Sequence, residues 1–256
     1  MSGEVYKKMI DTATEKKIEE IVRDAGKTLL SAHLETGEVH QKDGPANFVT
    51  DYDVKIQARL IRELSRVLPG CSFFGEEDTA GNEHRVGEGY TFFIDPIDGT
   101  TNFMFDYKNS CVSVGRSENG SMIAGWVYNP YTGQFWSAVR GSGATLNGRR
   151  ISVNPGGLED GIFSILPKLF GRSLSVRCGG SAAIDLSRIA SGSNAAYVEM
   201  LIQPYDYAAG SVIIEEAGGV IGQMDGSPIT LDRGCSIVAG TPKAVAEILE
   251  IIKAER

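Results

Sequence analysis

Short apolar segments that end in acidic residues set the strongest limit on how this chain can fold. Phe73-Phe74-Gly75 leads directly into Glu76, and Phe92-Phe93-Ile94 leads directly into Asp95. A third acid, Asp206, stands where an apolar strand gives way to a helix. Ligand-binding groups of α/β proteins gather beyond the ends of strands, so these acids are expected to converge on one edge of a sheet. The pattern predicts a mixed α and β fold with a polar site at that edge.

Helical spacing of apolar residues between charged ones predicts five helices. They cover residues 8–34, 51–68, 181–191, 206–217 and 242–253. Gly37, Pro69-Gly70 and Gly218-Gly219 follow three of these segments, as expected where helices end.

Short apolar runs bounded by turn residues predict the strands. They cover residues 71–74, 90–94, 111–117, 122–128, 134–139, 163–166, 175–178, 195–200, 220–224 and 236–239. The third to fifth of these read as a meander with a hairpin turn at residues 129–133, and the glycine-rich segment 141–148 reads as a loop. The chain shows no repeat and no low-complexity linker, so we expect two subdomains, residues 1–150 and 151–256, that share a cleft without a flexible joint.

Composition narrows the function classes. The chain has 256 residues, a net charge of -8 and a pI of about 5.0, a balance that disfavours nucleic acid and anionic membranes as partners. Clustered acids can nevertheless recruit divalent cations and so admit small anionic substrates. Four well-separated cysteines and three histidines disfavour a zinc finger or a thiol-redox motif. The N-terminal segment lacks a signal-peptide pattern, so we expect a cytoplasmic protein with reduced thiols.

The run from Asp95 to Thr101 has the composition of a hard-cation site. Pro96 stiffens the turn after Asp95, and Asp98 adds a second carboxylate three residues on. Gly99 lets the backbone approach a ligand, and free amides at a starting helix can hold phosphate oxygens. Magnesium prefers oxygen ligands of this kind.

Each acid also has a simpler interpretation. Asp98-Gly99 is a common turn pair, Asp206 has the position of a helix N-cap, and Glu76 and Glu77 are ordinary acids for a solvated loop.

The same run resembles a known family signature. Asp95-Pro96-Ile97-Asp98-Gly99-Thr100-Thr101-Asn102-Phe103 is similar to the motif of the inositol monophosphatase family. Phe74-Gly75-Glu76-Glu77 upstream and Tyr205-Asp206-Tyr207-Ala208-Ala209-Gly210 downstream resemble two further blocks in the same order and spacing. The resemblance covers nearly the whole chain. It implies a layered α-β-α-β-α sandwich of the α/β (α+β) class and a lithium-sensitive, Mg²⁺-dependent phosphoric monoester hydrolase.

The resemblance also implies residue roles. Glu76, Asp95 and the Ile97 carbonyl would hold one magnesium ion, and Asp95, Asp98 and Asp206 a second, with two or three ions in all. Most of these ligands belong to the N-terminal subdomain, and Asp206 belongs to the C-terminal one. Glu77 would support its loop, and the catalytic set would be Thr100, Asp53 and Glu76, with Thr100 and Asp53 orienting the attacking water. The substrate side would consist of Gly99, Thr100, Lys42, Gly180, Ser181 and Glu199.

Departures from the family pattern leave the substrate open. Phe105 and Gln203 replace common histidines, and Tyr205 replaces a common tryptophan. Inositol 1-phosphate is the first expectation. Fructose 1,6-bisphosphate, histidinol phosphate, NADP and adenosine bisphosphate are alternatives, and a nucleotide or bisphosphate would favour a basic rim of Lys168, Arg172, Arg177 and Arg188.

An alternative of another class is a non-catalytic, protein-binding member, for instance in transcription complexes. Such a protein could lose an acid without penalty, whereas all four carboxylate ligands are present here. By resemblance, we also expect a homodimer.

Overall fold

The structure is a computed structural model that describes residues 12–32, 39–41, 48–81, 85–164 and 173–254. Six α-helices lie in these ranges: α1 (Thr12–Ser31), α2 (Asp51–Val67), α3 (Thr100–Met104), α4 (Ala182–Ala190), α5 (Pro204–Glu216) and α6 (Pro242–Ala254). A 3₁₀ turn covers Leu158–Asp160. Within the same part of the chain, none of the helices has the length and apolarity needed to cross a membrane.

The described strands form three sheets. A two-stranded sheet pairs β1 (Val39–Gln41) with β2 (Phe48–Thr50). A seven-stranded sheet follows chain order through β3 (Ser72–Gly75), β4 (Tyr90–Asp98), β5 (Cys111–Glu118), β6 (Ser121–Asn129), β7 (Gln134–Val139), β8 (Gly143–Leu146) and β9 (Arg149–Arg150). A five-stranded sheet contains β10 (Ile162–Ser164), β11 (Ser175–Arg177), β12 (Asn194–Ile202), β13 (Val220–Gly222) and β14 (Cys235–Gly240), in the order β11-β10-β12-β14-β13.

Helices and sheets alternate in five layers. Helices α1 and α2 bury Ile18 and Leu60 against one face of the seven-stranded sheet, which there presents Phe92 and Ile94. Phe93, pointing to the opposite face, packs in a second core with α4, α5 and the inner face of the five-stranded sheet. Helix α6 covers the outer face of that smaller sheet. The predicted α-β-α-β-α sandwich is confirmed.

Helix α5 lies in the middle layer because it is apolar on all sides. Its buried residues run without interruption from Tyr207 to Ile214, the pattern of a helix enclosed by other elements. Glycines let its backbone approach the sheet: a Cβ atom at Gly125 would lie 2.3 Å from the carbonyl oxygen of Ala209. This contact sets the position of α5, and therefore that of Asp206 in its first turn.

The structure corrects the sequence prediction at segment 141–148. The predicted loop contains strand β8, whose residues pair with β7 from Trp136↔Leu146 to Val139↔Gly143. Gly143 has a φ of +79°, which turns the chain back so that the following residues can pair with β7. The prediction of a loop at residues 141–148 rested on glycine content alone and was wrong for β8.

Other predicted bounds shift by a few residues. Helix α5 begins at Pro204, two residues earlier than expected, because proline fits the first turn of a helix. Strand β4 continues four residues past Ile94 to Asp98. Parts of two predicted elements, residues 8–11 and 33–34 of the first helix and 165–166 of one strand, lie outside the described residues. The two larger sheets fall on opposite sides of residue 150, and the subdomain boundary stays a prediction.

Candidate metal and active site

An irregularity in strand β4 brings its two aspartates together. Asp95 pairs with Ser113 of β5, but Asp98 pairs with Cys111, so three steps on β4 match two on β5. A regular strand would point side chains at odd spacing to opposite faces, and the extra residue removes that alternation. Carboxylate oxygens of Asp95, Asp98 and Asp206 consequently lie within 4.8 Å of one another.

Asp206 reaches this group from the first turn of α5. It occupies the third helical position, and the backbone N–H of Gln203 donates to its Oδ2 at 2.6 Å. Gln203 is therefore the N-cap residue of α5, and Asp206 does not have the N-cap position that the sequence suggested for it. A carboxylate at this end of a helix also gains from the helix dipole.

A second group of acids lies at the end of β3. Oxygens of Asp53, Glu76 and Glu77 lie within 4.8 Å of one another. Asp53 belongs to the first turn of α2, where its Oδ2 accepts hydrogen bonds from the backbone N–H and the hydroxyl of Thr50 at 2.7 and 2.5 Å. These bonds fix one carboxylate oxygen of Asp53 beside the β3 loop.

The two groups form one electrostatic site centred on Asp95. Burial raises the pKa of Asp95 well above 3.8, and the charges of Glu76, Asp98, Asp206 and Asp53 raise it further. The pKa of Asp206 is also raised, first by burial and then by Asp98 and Glu76. Buried carboxylates that repel one another are stabilised by cations placed between them. Their all-oxygen chemistry suits a hard cation such as Mg²⁺.

Asp98 differs from its neighbours because hydrogen bonds surround it. Its Oδ2 accepts from the Ser181 hydroxyl at 2.5 Å and from the backbone N–H of Ala183 at 2.8 Å. The N–H of Ala182 donates to Oδ1 at 3.2 Å. Burial raises the pKa of Asp98, whereas these bonds lower it. The N-terminus of α4 thus supports Asp98 from the second half of the chain.

The turn after Asp98 is shaped for close backbone approach. Gly99 has a φ of +89°, and a Cβ atom there would lie 2.9 Å from the carbonyl oxygen of Gly180. The Thr100 hydroxyl donates to the carbonyl of Ile97 at 3.1 Å. The pairing of Thr100 with Asp53 stays a prediction. The same holds for the expectation that the Gly99 and Thr100 amides hold phosphate.

The remaining predicted residues are placed as follows. Ser181 is 3% exposed, with its hydroxyl directed at Asp98, and the side chain of Glu199, on β12, accepts from the N–H of Met200 at 2.8 Å. Burial raises the pKa of Tyr197, and the charge of Glu199 raises it further. Lys42, Lys168 and Arg172 lie outside the described residues.

Two of the candidate basic rim residues have local partners. Arg188 forms an ion pair with Asp185 at 3.4 Å and donates to the Asn109 side chain at 3.1 Å. Arg177 is exposed and donates to the carbonyl of Val176 at 2.9 Å. Their predicted contribution to a basic pocket stays a prediction.

Sequence reasoning missed three supporting groups. Gln57 anchors the loop that carries Glu76 and Glu77, the Cys111 thiol lies 3.6 Å from Asp98, and the α4 amides bind Asp98. The first residue could have been suspected as a polar group on the apolar face of α2. The other two depend on contacts distant in sequence and leave no local signal.

Comparison with known proteins shows the family of this chain. The family model described as "Inositol monophosphatase family" matches residues 5–255. The chain is 31% identical to the "Inositol-1-monophosphatase" of Bacillus subtilis over 245 residues, 90% of this chain and 92% of that protein. It is 32% identical over 225 residues to a Neisseria meningitidis protein named "Putative Nus factor SuhB", covering 81% and 85% of the two chains.

A solved structure shows the same fold. The Thermotoga maritima IMPase superposes with a TM-score of 0.84 at 27% identity, covering 95% of this chain and 98% of that one. The layered fold and its buried acids are thus found in a family whose relatives include proteins named as phosphatases. The chain belongs to the inositol monophosphatase family.

Proposed function

We propose that this chain hydrolyses a small phosphate monoester with the help of Mg²⁺, and that inositol 1-phosphate is its substrate. One observation carries the proposal: carboxylate oxygens of the buried Asp95 and of Asp98 and Asp206 lie within 4.8 Å of one another. An anionic cluster of this kind destabilises the folded protein unless it binds cations, so its presence favours a working metal site.

Mg²⁺ would be held by residues of both halves of the chain. Glu76, Asp95 and the Ile97 carbonyl would hold one ion, and Asp95, Asp98 and Asp206 another, with two or three ions in total. When bound there, the ions neutralise phosphate charge, acidify water and stabilise the leaving oxygen during in-line displacement. The Ile97 carbonyl accepts from Thr100 and has a second lone pair for this purpose.

The protein groups would orient the reactants. The backbone amides of Gly99 and Thr100, at the start of α3, would bind phosphate oxygens. Thr100, paired with Asp53, would orient the attacking water and help to deprotonate it, with the proton passing to the Asp53 carboxylate. Glu76 would complete this catalytic set. Lys42 would contribute positive charge near the phosphate, and Gly180 and Glu199 would border the leaving group. The family resemblance places Ser181 beside them.

The name of the Bacillus subtilis relative supports inositol 1-phosphate as the substrate. Fructose 1,6-bisphosphate, histidinol phosphate, NADP and adenosine bisphosphate stay open as alternatives, because the same metal core can serve any phosphate ester. We also propose a homodimer, from the family resemblance, and a cytoplasmic location.

A phosphate-release panel tests this proposal. The purified full chain is assayed with each of these substrates, with Mg²⁺ and, as the control, with EDTA. We expect turnover that requires Mg²⁺ and is fastest with inositol 1-phosphate. Faster turnover of another ester would make that ester the proposed substrate in place of inositol 1-phosphate. Hydrolysis that does not need Mg²⁺, or no hydrolysis of any ester, would contradict the proposed reaction.

A second candidate function rests on the Neisseria meningitidis relative, whose name denotes a Nus factor. A chain acting only as a protein-binding member would not need the acids around Asp95, yet all of them are present. Hydrolysis in the panel therefore favours the enzyme. If the panel shows none, pull-down of the same chain with a transcription complex would favour the binding protein.

A further inference from the structure

We propose that Ser181 is a positioning residue for Asp98 and not a contact for the substrate. Its hydroxyl lies 2.5 Å from Asp98 Oδ2, and both side chains are buried. The inference rests on the proposed function, since it assigns Asp98 to a magnesium ion. It reinterprets a residue that the family resemblance places beside the leaving group.

The hydroxyl of Ser181 is already engaged on both sides. The backbone N–H of Ile184 donates to Ser181 Oγ at 3.3 Å, which makes Ser181 the N-cap of α4. An ionised carboxylate only accepts hydrogen bonds, so the single hydroxyl proton must point to Asp98. A hydroxyl that caps a helix and donates to a carboxylate, while buried, is poorly placed to bind substrate.

The first turn of α4 completes the support of Asp98. The N–H groups of Ala182 and Ala183 donate to its two oxygens, and the Cys111 thiol approaches Oδ2 at 3.6 Å. Three of these four donors contact Oδ2 and only one contacts Oδ1. Oδ1 therefore retains a lone pair for a cation, and its direction is fixed by the bonds on the other oxygen.

A rigid junction holds the segment before Ser181. The side-chain amide of Asn102 donates to the carbonyls of Gly179 and Asn109 at 2.8 and 2.9 Å. The Asn109 amide donates to the same Gly179 carbonyl at 2.8 Å. Because these bonds join the turn after Asp98 to the segment before α4, Ser181 and Asp98 keep a fixed separation. Hydrogen-bonded partners of metal ligands orient them in this way.

The test compares substitutions at Ser181 with one matched control. Ser181→Ala removes the donor, Ser181→Thr keeps it, and Ser181→Cys leaves a weak one. Ser187→Ala is the control, because Ser187 is equally buried in α4 and its hydroxyl has no hydrogen-bond partner among the described residues. Calorimetry measures Mg²⁺ binding to each full chain, thermal unfolding checks folding, and kinetics with inositol 1-phosphate at saturating Mg²⁺ give KM and kcat.

We expect Ser181→Ala to weaken Mg²⁺ binding at least about tenfold, the scale for a lost hydrogen-bond partner of a metal ligand. KM should stay within about twofold of the original, because the substrate does not contact the hydroxyl. Ser181→Thr and Ser187→Ala should bind Mg²⁺ like the original chain. The Mg²⁺ affinity of Ser181→Cys should lie between those of Ser181→Ala and the original chain. If loss of the helix cap unfolds Ser181→Ala, the affinity of Ser181→Cys tests the positioning role instead.

A raised KM with unchanged Mg²⁺ affinity in Ser181→Ala or Ser181→Cys would overturn the proposal and show that Ser181 contacts the substrate. Equal loss of Mg²⁺ affinity in Ser187→Ala would also overturn it, since the effect would then be general to α4. If the original chain binds no Mg²⁺ in calorimetry and hydrolyses no ester, the proposed function fails as well. Binding and hydrolysis by the original chain, with unchanged Ser181 variants, would reject only the positioning role.

Discussion

Gln57 and Glu77 are joined by two reciprocal hydrogen bonds across the end of strand β3. The Gln57 side-chain amide donates to the Glu77 carbonyl at 2.5 Å, and the Glu77 N–H donates back to the Gln57 oxygen at 2.9 Å. The same amide group donates to the Thr79 hydroxyl at 2.7 Å. Helix α2 thereby holds the loop that presents Glu76 to the site.

Replacing this side chain should loosen that loop. In Gln57→Leu the buried backbone groups of Glu77 lose their Gln57 bonds, so we expect the free energy of unfolding to fall by about 2–4 kcal/mol. Mg²⁺ affinity should fall as well, because Glu76 is less firmly held. Denaturant unfolding and Mg²⁺ calorimetry measure the two effects. Gln134→Leu, at a half-buried position of β7, is the control and should change stability by no more than about 0.5 kcal/mol; an equal effect there would contradict the anchoring role.

The acid cluster makes stability depend on pH and on Mg²⁺. Burial and neighbouring charges raise the pKa values of Asp95 and Asp206 well above 3.8, so without metal the folded state binds more protons than the unfolded state. The stabilisation from these protonated groups is complete at low pH and is lost as pH rises through the raised pKa values. Since Mg²⁺ competes with the protons, its stabilising effect should grow with pH.

Thermal unfolding between about pH 5 and pH 8, with EDTA or with Mg²⁺, measures this dependence. Asp95→Asn removes the central charge and is the matched comparison. In EDTA it should unfold at a higher temperature than the original chain, by a margin that increases with pH. A margin that does not change with pH would show that Asp95 is already ionised in the folded protein and would contradict this prediction.

The close approach of α5 to the large sheet predicts a strong effect of one methyl group. Gly125→Ala would place a Cβ atom 2.3 Å from the Ala209 carbonyl oxygen, so the helix that carries Asp206 must shift. We expect a loss of about 1–3 kcal/mol in the free energy of unfolding, as for overpacked cores, together with reduced turnover. Gly222→Ala is the control, because its nearest neighbour would be at 3.2 Å. Equal stability of the two variants would argue against this packing constraint.

Lithium sensitivity is a further prediction from the family resemblance and the intact set of Asp95, Asp98 and Asp206. We expect Li⁺ to inhibit Mg²⁺-dependent phosphate release, measured by titrating LiCl into the assay, with NaCl as the ionic-strength control. Full activity at tens of millimolar Li⁺ would contradict it.

Local sequence signals account for much of the fold. The amphipathic spacing of α2 and α6 and the apolar runs of β4 to β7 predict these elements within a few residues. The signals fail where structure depends on distant partners. The β4 irregularity exists only in its register with β5, and β8 is a strand because β7 offers it a partner.

In the site, too, local sequence predicts some features and distant contacts determine the others. Acids at strand ends predicted a convergent cluster, and the structure brings Asp95, Asp98 and Asp206 together. Ser181 and Asp98 are 83 residues apart in sequence, so no local sequence pattern predicts their contact. The resemblance placed Ser181 near the site, whereas only the three-dimensional contacts suggest what its hydroxyl does.

The central claim is that Asp95 joins the two metal positions of a magnesium-dependent phosphatase. The most direct measurement is phosphate release from inositol 1-phosphate, titrated with Mg²⁺, by the original chain and by Asp95→Asn. We predict saturable Mg²⁺-dependent turnover in the original chain. We predict a loss of at least about 10²-fold in the folded variant, as expected when a central electrostatic group is removed. Near-normal turnover in Asp95→Asn would contradict the account.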